Sequence, residues 1–299
     1  MSIVPFKELM TEAEKGKYAV GYFESWNIES LLAVKDAAEA MCSPVIIGFS
    51  GIYLPHHKRV VKDPLKLYAM IATEMCRELT VPACTVFNES PYLDRVLEAI
   101  DYGYNLVMFS DENICFEKQL DNVKKVVKKA HKNSVAVEGE MVAIPGVGGE
   151  INYIPDNLRF NDLKLAKLFV EKTGVDAFAV NIGQAHLHGR IKVSLDLKLL
   201  KKLKETLPVP LVLHGSSSVR EKDITEAVRV GINKINVGSI LKQSYHKAMK
   251  NAFTERTSNK NPYEVIGSGM KNDILVAGRL AMQKTVEDLM CLFGSNGKA

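Results

Sequence analysis

The chain has 299 residues, 46% of them apolar and 25% charged, with a net charge of +4, which is the balance of an ordinary soluble globular protein. The length suits one α/β barrel, read as a single domain over 1–299. No apolar run approaches the ~18 residues needed to cross a bilayer, and the basic stretches KKVVKKAHK (124–132) and KLLKKLKE (198–205) lack interleaved aromatics, which argues against a nucleic-acid surface.

The opening MSIVPFKELMTEAEKGKY (1–18) has no continuous apolar core and does not read as a secretory signal. The first strand candidate is YAVGYFES (18–25), followed by the amphipathic NIESLLAVKDAAEAM (27–41). SPVIIGFS (43–50) precedes PLKLYAMIATEMCREL (64–79), and PACTVFN (82–88) precedes YLDRVLEAIDYG (92–103). NLVMFSD (105–111) leads into FEKQLDNVKKVVKKAHK (116–132). VAVEGEM (135–141) leads into the irregular MVAIPGVGGEINYIPDNLRF (141–160) and then NDLKLAKLFVEKTG (161–174). AFAVNIG (177–183), DLKLLKKLKET (196–206), PLVLHG (210–215), REKDITEAVRVG (220–231) and KINVGS (234–239) complete the series, before terminal helices over 240–255 and 272–293.

Most of the eight strand candidates are nearly continuous in apolar character, as parallel strands covered on both faces are. Eightfold strand–helix alternation predicts a (β/α)8 TIM barrel. An open doubly wound sheet is the alternative, since counting strands does not prove closure. In the long segment after the fifth strand, Gly146, Gly148 and Gly149 permit a hinge, and a plain surface insertion is the other reading. Cysteines 42, 76, 84, 115 and 291 form no CxxC pair and read as reduced thiols of a cytoplasmic protein.

In a TIM barrel the active site lies at the carboxyl ends of the strands. The residues delivered there are Glu24, Ser50, Asn88–Glu89, Ser110–Asp111, Glu138 and Glu140, then His186 and His188, His214, and Asn236–Ser239. Histidine and carboxylate converging on one rim suit Zn²⁺ or a similar divalent ion. A lone strand-end histidine is otherwise a hydrogen-bonded structural residue. His56, His57, His131 and His246 fall in polar contexts and read as surface residues. HGSSSV (214–219) and NVGS (236–239) are small-residue turns that open helices, and as a pair after the last two strands they suit a phosphate.

SPVIIGFSG (43–51), VVKKAHKNSVAVEGE (126–140), KTGVDAFAVNIG (172–183), PLVLHGSSSV (210–219), GINKINVGSILK (231–242) and LFGSNGKA (292–299) resemble the zinc-dependent class II ketose-bisphosphate aldolases, closest to the tagatose- and fructose-bisphosphate branch. The resemblance runs in order over nearly the whole chain. It implies a TIM barrel, a homodimer or homotetramer, three metal ligands, and cleavage of a ketose phosphate to dihydroxyacetone phosphate and an aldehyde through an enediolate. By resemblance His214 is a metal ligand, and Ser50, Gly189, Gly215, Ser216, Ser217, Asn236, Val237, Gly238 and Ser239 meet the substrate. Glu140 matches the second Glu of the family's VExE motif, close to the metal, and Glu150 approximates its loop glutamate, which serves in proton transfer.

Two motifs depart from the family. Its IGTxHG is IGQAHLHG here; ungapped spacing puts His186 on the ligand, whereas anchoring on His-Gly chooses His188. Its HLDHG is VFNES here, so Asn88 stands where the catalytic aspartic acid would be and Glu89 where the first metal histidine would be. An amide exchanges no proton near neutral pH, whereas a carboxylate ligates zinc. The implied metal set is Glu89, His186 and His214, with acid–base work displaced to Glu150 or Glu140. The other readings are a metal-dependent sugar-phosphate isomerase or epimerase, and a non-catalytic sugar-phosphate-binding paralogue.

Overall fold

The apolar runs form eight parallel strands, each paired with the next in sequence and the last with the first. They are β1 (Val20–Ser25), β2 (Val45–Ser50), β3 (Ala83–Ser90), β4 (Leu106–Phe109), β5 (Ala136–Glu140), β6 (Ala177–Val180), β7 (Leu211–Leu213) and β8 (Ile232–Val237). The computed structural model describes residues 2–141, 144, 160–186, 191–256 and 261–299. The sheet closes where Gly21 and Tyr22 of β1 lie opposite Ile235 and Asn236 of β8. The fold is therefore the expected (β/α)8 barrel and not an open sheet.

Helices cover the outside: α1 (Phe6–Gly16), α2 (Ile28–Ala40), α3 (Leu65–Glu78), α4 (Leu93–Asp101), α5 (Phe116–Lys132), α6 (Leu163–Thr173), α7 (Leu197–Thr206), α8 (Glu221–Val230), α9 (Ser239–Arg256), the short α10 (Pro262–Val265) and α11 (Ile274–Phe293). Side-chain caps start several of them. Asn27 and Ser30 form a reciprocal box at α2, and Asp162, Asp196 and Asp273 accept from backbone N–H groups of α6, α7 and α11. Gly174 and Gly294, both left-handed, end α6 and α11.

Helix α1 was not expected from the sequence, and it decides which end of the barrel is open. Phe6, Leu9, Met10 and Ala13 pack against inward-facing strand residues such as Val20, Ile46, Val86, Leu106, Met108 and Val212. This plug closes the amino end, so the carboxyl end is the one left for a site. The segment after α11 seals the same side. Gly297 N–H donates to the Met41 carbonyl and Lys298 N–H to that of Cys42, while the hydroxyls of Ser43 and Ser295 bond at 2.8 Å.

Gly48 marks a close approach in the barrel wall. It pairs with Val86 on β3, and a Cβ there would stand 1.9 Å from the Val86 carbonyl oxygen, a backbone atom that cannot swing aside. Gly48→Ala should therefore lower stability by about 1–3 kcal/mol through overpacking, read as a drop in the calorimetric melting temperature.

Candidate active site

Strand β3 carries the residue pair that departs most from ordinary strand geometry. Its ladder with β4 runs from Phe87↔Val107 to Ser90↔Phe109, so one extra residue is inserted on the β3 side. Such a bulge re-aims side chains. Glu89 takes the left-handed φ of +55°, a conformation costly for a non-glycine residue and typical of functional sites. The result is that neighbours Asn88 and Glu89, which a regular strand would send to opposite faces, both line the same cavity.

That cavity, of about 640 Å³, lies at the carboxyl end of the barrel. His186 and His214 line it together with Asn88 and Glu89. Glu89 Oε1 stands 3.7 Å from His214 Nδ1 and 3.9 Å from His186 Nε2. Glu89 Oε1 and His214 Nδ1 are buried, and neither has a hydrogen-bond partner among the described residues. The turn that delivers His186 is braced by Gln184, fully buried, whose side chain bonds back to Ile182 N–H and the Val180 carbonyl.

Beneath the cavity lies a buried polar layer. His214 Nε2 is 2.6 Å from Glu138 Oε1, and Glu138 Oε2 accepts from Lys234 Nζ at 2.7 Å. Glu138 and Lys234 are both 0% exposed. Burial works against an ionised Glu138, but Lys234 and His214 outweigh it and hold the carboxyl down at about 2. Burial likewise opposes a charged His214, yet the carboxylates of Glu138 and Glu89 push it up to about 10. Glu89, also opposed by burial, is held below its ordinary value by His214 and His186. Glu140 behaves oppositely. Burial raises it to about 8, with His214 opposing and Glu89 adding to the rise. Its Oε2 accepts from Ser110 Oγ at 2.7 Å, and it lies outside the cavity lining.

The expected phosphate turns meet at the cavity too. Gly215, at φ +64°, opens a short 3₁₀ turn over Ser216–Ser218. Ser216 Oγ donates to the Asn236 carbonyl at 2.7 Å, and Ile240 N–H donates to Ser217 Oγ at 3.3 Å, tying the β7 and β8 turns together. Ser50, Val237, Gly238 and Ser239 line the cavity as well. Lys242, not foreseen as a site residue, lines the cavity while paired with Glu24 and lying over the rings of Trp26 and Tyr53. His246 is exposed as expected, but sits on the cavity rim. His188, Gly189, Glu150, Gly146, Gly148 and Gly149 lie outside the described residues.

The donor chemistry fits a divalent ion. Two buried, unsatisfied donors face each other at a separation too long for a hydrogen bond, close to the about 3.3–3.6 Å edge of a tetrahedral zinc site. Among the described residues no group of three or more His, Cys, Asp or Glu is drawn in as a ready-made cage, so the spacing is slightly open.

A family model described as "Fructose-bisphosphate aldolase class-II" matches residues 4–298. The chain belongs to the class II fructose-bisphosphate aldolase family. A fructose-bisphosphate aldolase of Geobacillus stearothermophilus is 30% identical over 302 residues, covering 100% of this chain and 99% of that protein. The crystal structure of the YdjI aldolase of Escherichia coli K12 is similar with a TM-score of 0.78 at 27% identity, covering 99% of each chain. The fructose-bisphosphate aldolase of Campylobacter jejuni, at 20% identity, matches in fold with a TM-score of 0.79 over 100% of this chain and 97% of that one. The chain is thus an aldolase, a lyase for a C–C bond of a phosphorylated ketose, in a family generally dependent on divalent metal. No described helix is long and apolar enough to cross a membrane.

The aldolase's Glu140 makes a pH prediction. Its carboxyl ionises near 4.5 when unfolded and near 8 when folded, so its contribution is present below 4.5 and is lost as pH rises through 8. Glu140→Gln, which mimics the protonated acid, should melt close to the wild type at pH 5 and several degrees above it at pH 9 in the metal-free protein.

Proposed function

We propose that the cavity cleaves a ketose phosphate reversibly into dihydroxyacetone phosphate and an aldehyde, using one divalent ion, Zn²⁺ in the first instance, held by Glu89, His186 and His214. The observation that carries this reading is the β3 bulge, which turns Glu89 toward His214 and leaves both facing donors buried and unsatisfied. A bound ion there supplies Lewis-acid polarisation of the substrate's ketone oxygen. Compared with three histidines, a set containing Glu89 lowers the net charge of the centre and so its Lewis acidity.

The chain's own residues supply the rest. The small-residue turns at Gly215–Ser217 and Gly238–Ser239 suit the phosphate, with Ser50, Asn236 and Val237 in the same cavity lining and Gly189, three residues after His186 in sequence, as a further substrate contact. Asn88 accepts from Asn236 Nδ2 at 3.1 Å and orients rather than transfers protons. The acid–base work that Asn88 cannot do is assigned to Glu150 and to Glu140, which holds a proton across neutral pH and has to turn from Ser110 into the cavity to use it. We also propose, on family likeness, a cytoplasmic homodimer or homotetramer organised as a single domain over 1–299. His188 remains the alternative to His186 as ligand.

Glu89→Ala tests the assignment directly. Bound zinc, measured by atomic emission, should fall from about one ion per chain to well below half, with aldol cleavage lost and the fold retained. Unchanged zinc content would remove Glu89 from the metal set.

A further inference from the structure

A lysine with no solvent exposure sits in the middle of the barrel, and the family reading gives it no task. Lys234 is held by Glu138 Oε2 at 2.7 Å and by Asn236 Oδ1, and lies 5.5 Å from the centre of the Tyr22 ring. An ammonium group has three donors and no acceptor, so every group facing it has to accept. Glu138 meets that demand with one oxygen and uses the other to accept from His214 Nε2 at 2.6 Å. Asn236 Nδ2, 2.8 Å from the same nitrogen, carries two hydrogens and gives one to Asn88 Oδ1 at 3.1 Å; the Glu138 carboxylate, which can only accept, has the shorter contact and the stronger claim on Nε2.

The geometry points to Lys234 as a positioning residue that, acting through Glu138, decides which nitrogen of His214 keeps its proton. The donor–acceptor order runs one way along the chain. Lys234 donates, Glu138 accepts at both ends, and Nε2 donates. Nδ1 is the nitrogen left to yield its proton and present a lone pair toward Glu89 Oε1, 3.7 Å away. A metal ligand has to present that lone pair, and its outer hydrogen bond fixes the tautomer. The consequence for metal binding rests on the metal reading above. The tautomer itself does not.

The order can be reversed without changing shape. In Glu138→Gln, Lys234 still requires an acceptor and claims the amide oxygen, which turns the NH₂ group toward His214 Nε2. That nitrogen then accepts, and the proton moves to Nδ1, where it blocks the ion. In the double variant Lys234→Met/Glu138→Gln nothing holds the amide, so its oxygen is free to face Nε2–H and the lone pair returns to Nδ1. Replacing both buried charges together also leaves neither one unpaired.

Zinc affinity is measured by chelator competition, with circular dichroism to establish folding. Glu138→Gln should bind zinc on the order of 10–100-fold more weakly than the wild type, and the double variant should recover to within about threefold. A simple packing role predicts the opposite order, with the double variant the weaker. Wild-type affinity in Glu138→Gln, or no recovery in a folded double variant, would overturn the inference.

The ¹⁵N shifts of His214 in metal-free Glu138→Gln, taken where the imidazole is neutral, decide the matter if the double variant does not fold. They also decide it if the wild type binds no zinc, a result that would sink the metal reading alone. The Nδ1–H tautomer is expected, and the Nε2–H tautomer would overturn the assignment of Lys234.

Discussion

A cation removed from water has to be answered by an anion, and in this barrel that requirement organises everything above the apolar plug. Lys234 is fully buried and so is Glu138. Removing either alone would strand a charge in a medium of low polarisability. Their pairing sets the floor of the cavity. It orients Glu138, and Glu138 orients His214. The pair is weak evidence for stability, since matched apolar residues often do as well. Its value lies in direction, because an apolar replacement would leave the imidazole free to turn.

Above that floor the barrel is built to different rules on its two ends. The amino end is filled by α1 with Phe6, Leu9 and Met10 against β-branched and sulfur-containing strand residues. The carboxyl end carries groups that bond poorly to one another. Glu89 and His214 stand beyond hydrogen-bond range although both are buried, and Glu89 holds an unfavourable backbone angle. Local discord in an otherwise consistent fold is where function is expected.

The barrel was legible because its signal is repeated. Eight apolar runs with helices between them leave little choice of architecture, and the caps at Asn27, Asp162 and Asp273 are local chemistry. The rim residues were legible as candidates because strand ends are visible in sequence. What was hidden depends on registers between distant strands. The β3 bulge has no marker in TVFNES, so the sharing of one face by Asn88 and Glu89 could not be read. Glu138 and Glu140 look alike in VEGE, yet Lys234 comes within 2.7 Å of the first and, among the described residues, no cation is paired with the second. One is held near 2 and the other raised near 8. Helix α1 is hard to see in the sequence because its buried positions, Phe6, Leu9, Met10 and Ala13, are few and lie among charged residues, with no side-chain cap to mark its start.

Closure of the barrel also has a consequence in time. Strand β1 can bond to β2 as soon as both leave the ribosome, but its other edge waits for β8, more than two hundred residues later. Ala19 N–H waits longer still, for the carbonyl of Phe293. Through most of synthesis the nascent sheet therefore carries an open edge at β1, and open edges invite pairing with other chains. Contacts of such long sequence separation form slowly, so the β1 edge stays exposed until β8 has emerged and found it.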